Sequence, residues 1–215
     1  MIPDTSMHRR RFVQLTAAAS AGALLGAAPA RAQSVSGLFD DIPLADQVLG
    51  DVNAPVTLVE YASMTCPHCR TFHENILPEV KEKFIDTGKA KLILRPFPFN
   101  GDRRGEAAFM LALCAPNNKY YAMIDALFST QDVWANPQTN PVPELLRLSR
   151  LSGMSEGDFK ACLENQDQLN KMIQGRNKAA TEFGVSSTPT IFINDEKFSG
   201  ELSKETFVKA IEDAL

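Results

Sequence analysis

Apolar and polar residues follow two different periodicities along the chain, and these predict where strands and helices lie. Residues 56–61 form a β-branched and aromatic run between turn-forming residues, which predicts a strand, and residues 91–95 predict a second one. Between them, apolar residues recur every four positions, which predicts an amphipathic helix that begins near residue 66, kinks at Pro78 and ends at Gly88. The apolar positions of this helix are Phe72, Ile76, Val80 and Phe84.

The second half of the chain is mainly helical by the same criterion. Residues 103–183 show helical spacing and no convincing strand. Two short strands joined by a turn are expected at 190–194 and 197–199, followed by a helix that is capped at Ser203. With a further short strand near 44–49, the element order predicts an α/β protein that contains a block of helices.

The composition is that of an ordinary globular protein. Of the 215 residues, 44% are hydrophobic and 22% are charged, which excludes a disordered, collagen-like or multi-span membrane protein. A chain of this length can bury a full core without structural metals. The formal net charge of −4 gives no indication of a nucleic-acid partner.

The N-terminal segment has the three parts of a secretory signal peptide. A basic cluster at 8–11 precedes an apolar run at 12–28, and Ala30-Arg31-Ala32 forms a cleavage site. We therefore expect residues 1–32 to be cleaved off after Ala32, which leaves residues 33–43 as a flexible lead-in. Because the apolar run is short for a membrane span, a retained signal anchor is only the alternative. The arginines also resemble a twin-arginine export signal, so both export routes remain open.

Cys66-Pro67-His68-Cys69 is the motif that carries chemistry, and a pair of cysteines at this spacing has three interpretations. Half of a structural zinc site needs a second Cys or His pair, and only His73 lies near. Covalent haem attachment needs a histidine directly after the second cysteine, where Arg70 stands. A dithiol redox centre at the start of a helix fits the preceding strand and the following helix. We therefore expect a redox site and no metal site.

The start of a helix favours a reactive thiolate at Cys66. The unpaired backbone N–H groups and the positive end of the helix dipole stabilise a thiolate there and lower its pKa. A stabilised thiolate favours the reduced form, which makes the Cys66–Cys69 disulfide a strong oxidant. Cys66 is therefore the expected exposed nucleophile and Cys69 its buried partner. His68 can add positive charge to the same site, or it is simply a solvated residue at the helix start.

These features closely resemble the DsbA family of periplasmic thiol:disulfide oxidoreductases, which have the thioredoxin fold. The matching motifs are Glu60-Tyr61-Ala62-Ser63, Cys66-Pro67-His68-Cys69 and Val185-Ser186-Ser187-Thr188-Pro189-Thr190. The resemblance covers residues 44–215. It implies a thioredoxin-like domain formed by 44–102 and 184–215, with an inserted all-helical domain at 103–183.

The resemblance also assigns substrate-binding roles around the cysteines. In such proteins the proline that matches Pro189 follows a cis peptide bond and faces the active disulfide. This arrangement leaves the backbone of Thr188 free to pair with an extended substrate, and Pro67 between the cysteines belongs to the same binding surface. The Thr188 hydroxyl is placed to tune the nearby sulfur, which leaves the balance between oxidase and isomerase open.

Glu60 does not fit its place in an apolar strand. A central strand that is covered by helices on both faces is normally apolar, so a carboxylate there is costly and its pKa is expected to rise. Near Cys69 it can relay the proton of the buried thiol. The alternative is a glutamate at the strand end that reaches solvent.

Cys114 and Cys162 lie 48 residues apart in the helical block. Some DsbA-like proteins carry an extra disulfide of this kind, and export makes the bond permissible, so we expect a structural disulfide. Two buried free cysteines are the alternative.

Together these observations predict a periplasmic enzyme that introduces disulfides into unfolded secreted proteins with reduced cysteines. The family implies a membrane reoxidant of DsbB type. We expect a monomer that needs no dissociable cofactor and binds no nucleic acid. A disulfide reductase or isomerase on the same fold is the alternative. A non-catalytic binding module is a further one, but such a module would need neither Cys66 nor Cys69.

Overall fold

A computed structural model describes residues 34–215, so the predicted signal peptide at 1–32 lies outside the described residues. Five strands form one sheet in the order β1-β3-β2-β4-β5. The strands are β1 (Val48–Leu49), β2 (Val56–Ala62), β3 (Ala90–Pro96), β4 (Thr190–Ile193) and β5 (Glu196–Lys197). Strands β2 and β3 pair in parallel, and the other three pairs are antiparallel.

The helices follow the predicted order closely. Helix α1 (Pro67–Asn75) follows β2, and α2 (Leu77–Val80) continues into a π-helical turn at Lys81–Ile85. The helical block comprises α3 (Arg103–Leu113), α4 (Tyr120–Ser129), α5 (Gln131–Trp134), α6 (Val142–Ser152), α7 (Glu156–Leu163) and α8 (Gln166–Glu182). Helix α9 (Lys204–Asp213) begins at a capping box of Ser203 and Thr206. These bounds confirm the predicted α/β fold with a helical insertion between β3 and β4.

The predicted kink lies slightly earlier than the proline that causes it. Helix α1 ends at Asn75, and the backbone departs from regular helix at Ile76, with φ −108° and ψ −50°. Pro78 lacks an N–H group, and its ring would clash with the carbonyl group of Glu74 in a continuous helix. The helix therefore breaks before the proline and restarts at Leu77.

The pleat of β2 decides which side chains lie under α1. Val56 and Leu58 face a core cluster that also contains Phe72 of α1 and Phe207 of α9. Val59 and Tyr61 face the opposite cluster. Since successive strand residues point to alternate faces, Glu60 shares the face of Leu58 and is directed under α1.

The lead-in packs more closely than the flexible segment that the sequence predicts. Leu38 is only 1% exposed, and its carbonyl oxygen accepts a hydrogen bond of 2.7 Å from the buried guanidinium of Arg95. Arg95 also forms a two-pronged ion pair with Asp46. Across residues 34–215 the structure contains no helix with the length and apolar character that a membrane crossing requires.

Candidate active site

Cys66 and Cys69 lie where the sequence predicts them, at the start of α1 directly after β2. Cys66 is the N-cap residue, with extended backbone angles, and Pro67 occupies the first helical position. The amide of Arg70 donates to the carbonyl oxygen of Cys66 at 3.2 Å and closes the first turn. The sulfur of Cys66 therefore lies at the end of the helix where backbone N–H groups are unpaired.

Both cysteines are free thiols, and both are buried, which corrects the prediction of an exposed Cys66. Cys66 is 3% exposed and Cys69 is fully buried. The reason is the loop before β4, which lies against the sulfur: the Cys66 sulfur lies 3.3 Å from the carbonyl oxygen of Thr188, to which its protonated form donates. A disulfide partner must therefore approach Cys66 beside Thr188.

The two thiols differ strongly in acidity. A hydrogen bond from the Cys69 thiol is the largest cause that lowers the pKa of Cys66, to about 5, and this outweighs the opposing effect of burial. The Thr188 side chain and the backbone N–H groups of Cys69 and His68 lower the pKa further. Burial raises the pKa of Cys69, and the hydrogen bond to Cys66 and the charge of Glu60 raise it more. Cys66 is the thiolate of the pair and Cys69 the thiol.

Pro67 and His68 are both exposed at the tip of α1. His68 acts on Cys66 through its backbone N–H group, whereas its side chain is not among the groups that lower the pKa of Cys66. The proposed effect of the imidazole charge therefore stays a prediction.

The loop before β4 brings Thr188 and Pro189 to Cys66 across 122 residues of sequence. The Thr188–Pro189 peptide bond is cis, as the resemblance implies. The Thr188 side-chain oxygen is buried and makes no hydrogen bond within the described residues, although it contributes to lowering the pKa of Cys66. Its hydroxyl is thus free to interact with the thiolate.

Glu60 is fully buried, which rules out the alternative in which it reaches solvent. Its Oε2 atom lies 2.8 Å from Nε2 of His73, a residue of α1 that is also buried. Sequence reasoning missed His73 as a site residue. The signal was present, because a buried carboxylate requires a partner and His73 follows Cys69 by one helical turn.

A second group of polar contacts holds the loop that precedes Cys66. The buried amide of Gln131 donates to the carbonyl oxygens of Met64 at 2.8 Å and of Cys66 at 3.1 Å. The Thr65 hydroxyl donates to the carboxylate of Asp102, the N-cap residue of α3. Helices of the insertion therefore fix the position of the motif.

The second cysteine pair forms a disulfide, as predicted. Cys114 and Cys162 are bonded, with Cα atoms 6.2 Å apart, and they join the end of α3 to α7. This bond excludes the alternative of two free cysteines. Within residues 34–215 no group of three or more histidine, cysteine or acidic side chains is arranged to hold a metal ion.

Comparison with known proteins identifies the family of this chain and several relatives. A family model described as Thioredoxin matches residues 44–213. A Rickettsia conorii protein with the provisional name of protein-disulfide oxidoreductase is 34% identical over 172 residues, which cover 79% of this chain and 60% of that protein. The chain thus spans about 60% of the length of the curated relatives that it matches first.

Solved structures show the same architecture. The crystal structure of Wolbachia pipientis alpha-DsbA1 superposes with a TM-score of 0.73 at 33% sequence identity, covering 79% of this chain and 90% of that one. Oxidised BdbD from Bacillus subtilis gives a TM-score of 0.68 at 22% identity, with 79% and 92% covered. At 22% identity, the likeness to BdbD shows only that the two proteins share a fold.

Proposed function

The chain belongs to the thioredoxin family, in its DsbA-like group, and we propose that it is an exported thiol:disulfide oxidoreductase that introduces disulfides into secreted proteins. The observation that carries this proposal is the difference in acidity between the paired thiols. The pKa of Cys66 is lowered to about 5, whereas that of Cys69 is raised. Because the thiolate is stabilised, the reduced form is favoured and the disulfide form acts as an oxidant.

The reaction uses the two sulfurs in different steps. A substrate thiolate attacks Cys66 in the Cys66–Cys69 disulfide, so a mixed disulfide forms and Cys69 leaves and takes up a proton. A second substrate thiolate then attacks the substrate sulfur, and Cys66 leaves as the stabilised thiolate. The substrate loses two electrons and two protons: both electrons reduce the Cys66–Cys69 disulfide, one proton stays on Cys69 and the other goes to solvent.

The substrate binds beside the loop before β4 in this proposal. Thr188 lies against Cys66 and is followed by Pro189, and the exposed Pro67 is next to Cys66 in the chain. An extended chain with reduced cysteines can pair with the backbone at Thr188 and present its thiol to Cys66. Unfolded secreted proteins have this chemistry.

Export to the periplasm is supported by the Cys114–Cys162 disulfide, because such bonds persist in oxidising compartments. The predicted cleavage after Ala32 belongs to the same proposal. A Bacillus subtilis relative, 25% identical over 187 residues, is named disulfide bond formation protein D, which favours disulfide formation over reduction. A DsbB-like membrane reoxidant and a monomeric state complete the proposal.

The equilibrium with glutathione tests the direction of the reaction. The purified protein is held in mixtures of reduced and oxidised glutathione, and its free thiols are trapped and counted. We expect the dithiol form of Cys66 and Cys69 to persist even where oxidised glutathione dominates. A disulfide that resists reduction by glutathione would instead support the reductase alternative.

A reduced peptide with two cysteines tests the site itself. The oxidised protein is expected to form the peptide disulfide, and the Cys66→Ser variant to lose this activity. Cys114→Ala/Cys162→Ala is the matched control, because it removes the other cysteine pair. Peptide oxidation at the normal rate by Cys66→Ser would contradict the assignment.

A further inference from the structure

Behind Cys69 lies a buried ionisable pair whose two outer atoms are unengaged. Glu60 Oε2 and His73 Nε2 lie 2.8 Å apart, and the side chains of both residues are almost completely buried. The other oxygen of Glu60 and Nδ1 of His73 are buried and have no hydrogen-bond partner within the described residues. A carboxyl and an imidazole each have a second site that can take or give a proton, and here both second sites are free.

The pair has different surroundings on its two sides. On one side is Cys69, which is fully buried and whose thiol responds to the charge of Glu60. On the other side, Nδ1 of His73 lies 4.0 Å from Oδ1 of Asp125, a residue of α4 whose side chain is 70% exposed. His73 and Asp125 line the same surface groove, of about 370 Å³. The pair therefore lies between the buried sulfur and the surface groove.

We propose that His73 relays protons between Glu60 and Asp125, so that the Cys69 thiol exchanges its proton with solvent through this groove rather than past Cys66. This inference rests on the proposed function, because only a redox-active Cys69 must gain and lose a proton. His73 acts through Glu60 and does not touch the reacting sulfurs, so it is a positioning and relay residue.

One proton moves along this path in each step of the reaction, outward in one step and inward in the other. When the Cys69 thiol attacks a mixed disulfide at Cys66, the Cys66–Cys69 bond forms, the partner leaves as a thiolate and one proton must depart. In this path one proton already lies between Oε2 of Glu60 and Nε2 of His73, and another is on Nδ1. Glu60 takes the Cys69 proton on its free oxygen, the shared proton stays on Nε2, and Nδ1 releases its proton toward Asp125. When Cys69 is displaced as a thiolate, the same transfers run inward.

The charged neighbours of His73 are otherwise occupied, which leaves Asp125 as the outer partner. Glu74, on the same helix, pairs with Arg70. Lys81, from the π-helical turn, pairs with Asp86.

The remaining neighbours fix the site without accepting its proton. The Tyr121 hydroxyl of α4 donates to backbone carbonyl oxygens, including that of Leu92 at 2.8 Å. The Phe128 ring lies 4.5 Å from the His73 imidazole and holds it in place. Within the described residues, Asp125 makes no ion pair except that with His73.

The reduced protein and a chromogenic aromatic disulfide give a two-phase test. In the first phase Cys66 attacks the reagent and releases one coloured thiolate. In the second phase Cys69 attacks Cys66 and releases the other, which requires loss of the Cys69 proton. The first phase reports the proposed function, and the second reports the relay.

Three variants separate a relay from a structural partner. In His73→Gln the side-chain amide can still donate to Glu60 but cannot pass a proton on, and we expect the second phase to slow about 100-fold, the low end of general acid–base catalysis. The pH dependence of its second phase should also differ from that of the wild type. Asp125→Asn, at an exposed site, should slow the second phase less, and Glu74→Gln is the control from the same groove.

Chemical rescue by imidazole distinguishes a proton relay from a purely structural role of His73. Added imidazole buffer should restore the second phase of His73→Ala, with no effect on its first phase. A second-phase rate and pH profile of His73→Gln equal to wild type would overturn the relay. An unchanged second phase in Asp125→Asn would overturn the exit toward that residue. Loss of the first phase in the wild type would instead contradict the proposed function.

Discussion

The side-chain amide of Gln131 donates a hydrogen bond to the carbonyl oxygen of Cys66, 65 residues away, at 3.1 Å. The same amide donates to Met64 at 2.8 Å, and Gln131 is only 5% exposed. One buried side chain of α5 thus satisfies two backbone acceptors on the loop that carries the nucleophile.

Gln131→Leu should destabilise the protein and loosen this loop. It leaves the buried carbonyl group of Met64 without a donor and removes one of the two donors to the carbonyl oxygen of Cys66, which costs about 1–3 kcal/mol in free energy of unfolding. Denaturant unfolding measures the loss, and the rate at which Cys66 reacts with an aromatic disulfide should fall because the loop is less well placed. Gln138→Leu, at an exposed position of the same block, is the control. Equal stability of the two variants would contradict the role of Gln131.

The contribution of Gln131 could not be predicted from the sequence, in contrast to that of the cysteines. The Cys66–Cys69 spacing and the preceding strand are local signals that located the redox motif, whereas the cis peptide bond before Pro189 was implied only by the family resemblance. A glutamine has no sequence signal for burial, because its partners are backbone groups that only the tertiary fold brings near.

The role of His73 could be predicted from the sequence only in part. The sequence indicated a buried Glu60, and a buried carboxylate requires a partner, but the pairing depends on the packing of α1 over β2. Burial of Cys66 was missed for a similar reason, since the loop at Thr188 covers it from 122 residues away. The division at 103 and 183 into two domains stays a prediction.

Removal of the disulfide between Cys114 and Cys162 should lower stability and leave the chemistry intact. The bond closes a loop across 48 residues, and the loop-entropy model gives about 4 kcal/mol for a ring of that size. Cys114→Ala/Cys162→Ala should therefore unfold at lower denaturant concentration, while peptide oxidation below its unfolding transition proceeds at the normal rate. A large loss of peptide oxidation in the folded variant would show that the bond also shapes the active site.

Thr188→Val should raise the pKa of Cys66. The Thr188 side chain helps to lower that pKa, and valine keeps the shape but removes the hydroxyl. The thiolate absorbance of the reduced protein, followed against pH, should titrate at higher pH, and every tenfold loss of thiol acidity corresponds to about 1.4 kcal/mol of lost thiolate stabilisation. The disulfide should then be a weaker oxidant in glutathione mixtures.

Thr181→Val is the matched control for this variant. Thr181 is exposed on α8, and its hydroxyl donates only to carbonyl oxygens of its own helix. Its thiolate titration should equal that of the wild type. If Thr188→Val also titrates as the wild type does, the hydroxyl does not tune the sulfur, and the lowered pKa of Cys66 comes from Cys69 and the helix backbone.

The lowered pKa of Cys66 also links the stability of the reduced form to pH. Folding moves this pKa from an ordinary 9.0 to about 5, so the unfolded state binds more protons between these values and the free energy of unfolding rises with pH across that window. The contribution is complete above about pH 9 and is lost as the pH falls through about 5.

The oxidised form has no titrating thiol at this site. We therefore expect denaturant unfolding of both redox forms to show a stability difference that shifts in favour of the reduced form from about pH 5 to about pH 8. At higher pH the raised pKa of Cys69 acts in the opposite direction. Reduced Cys66→Ala should lack this slope, and a wild-type difference that is constant over the window would show that Cys66 is not the stabilised thiolate.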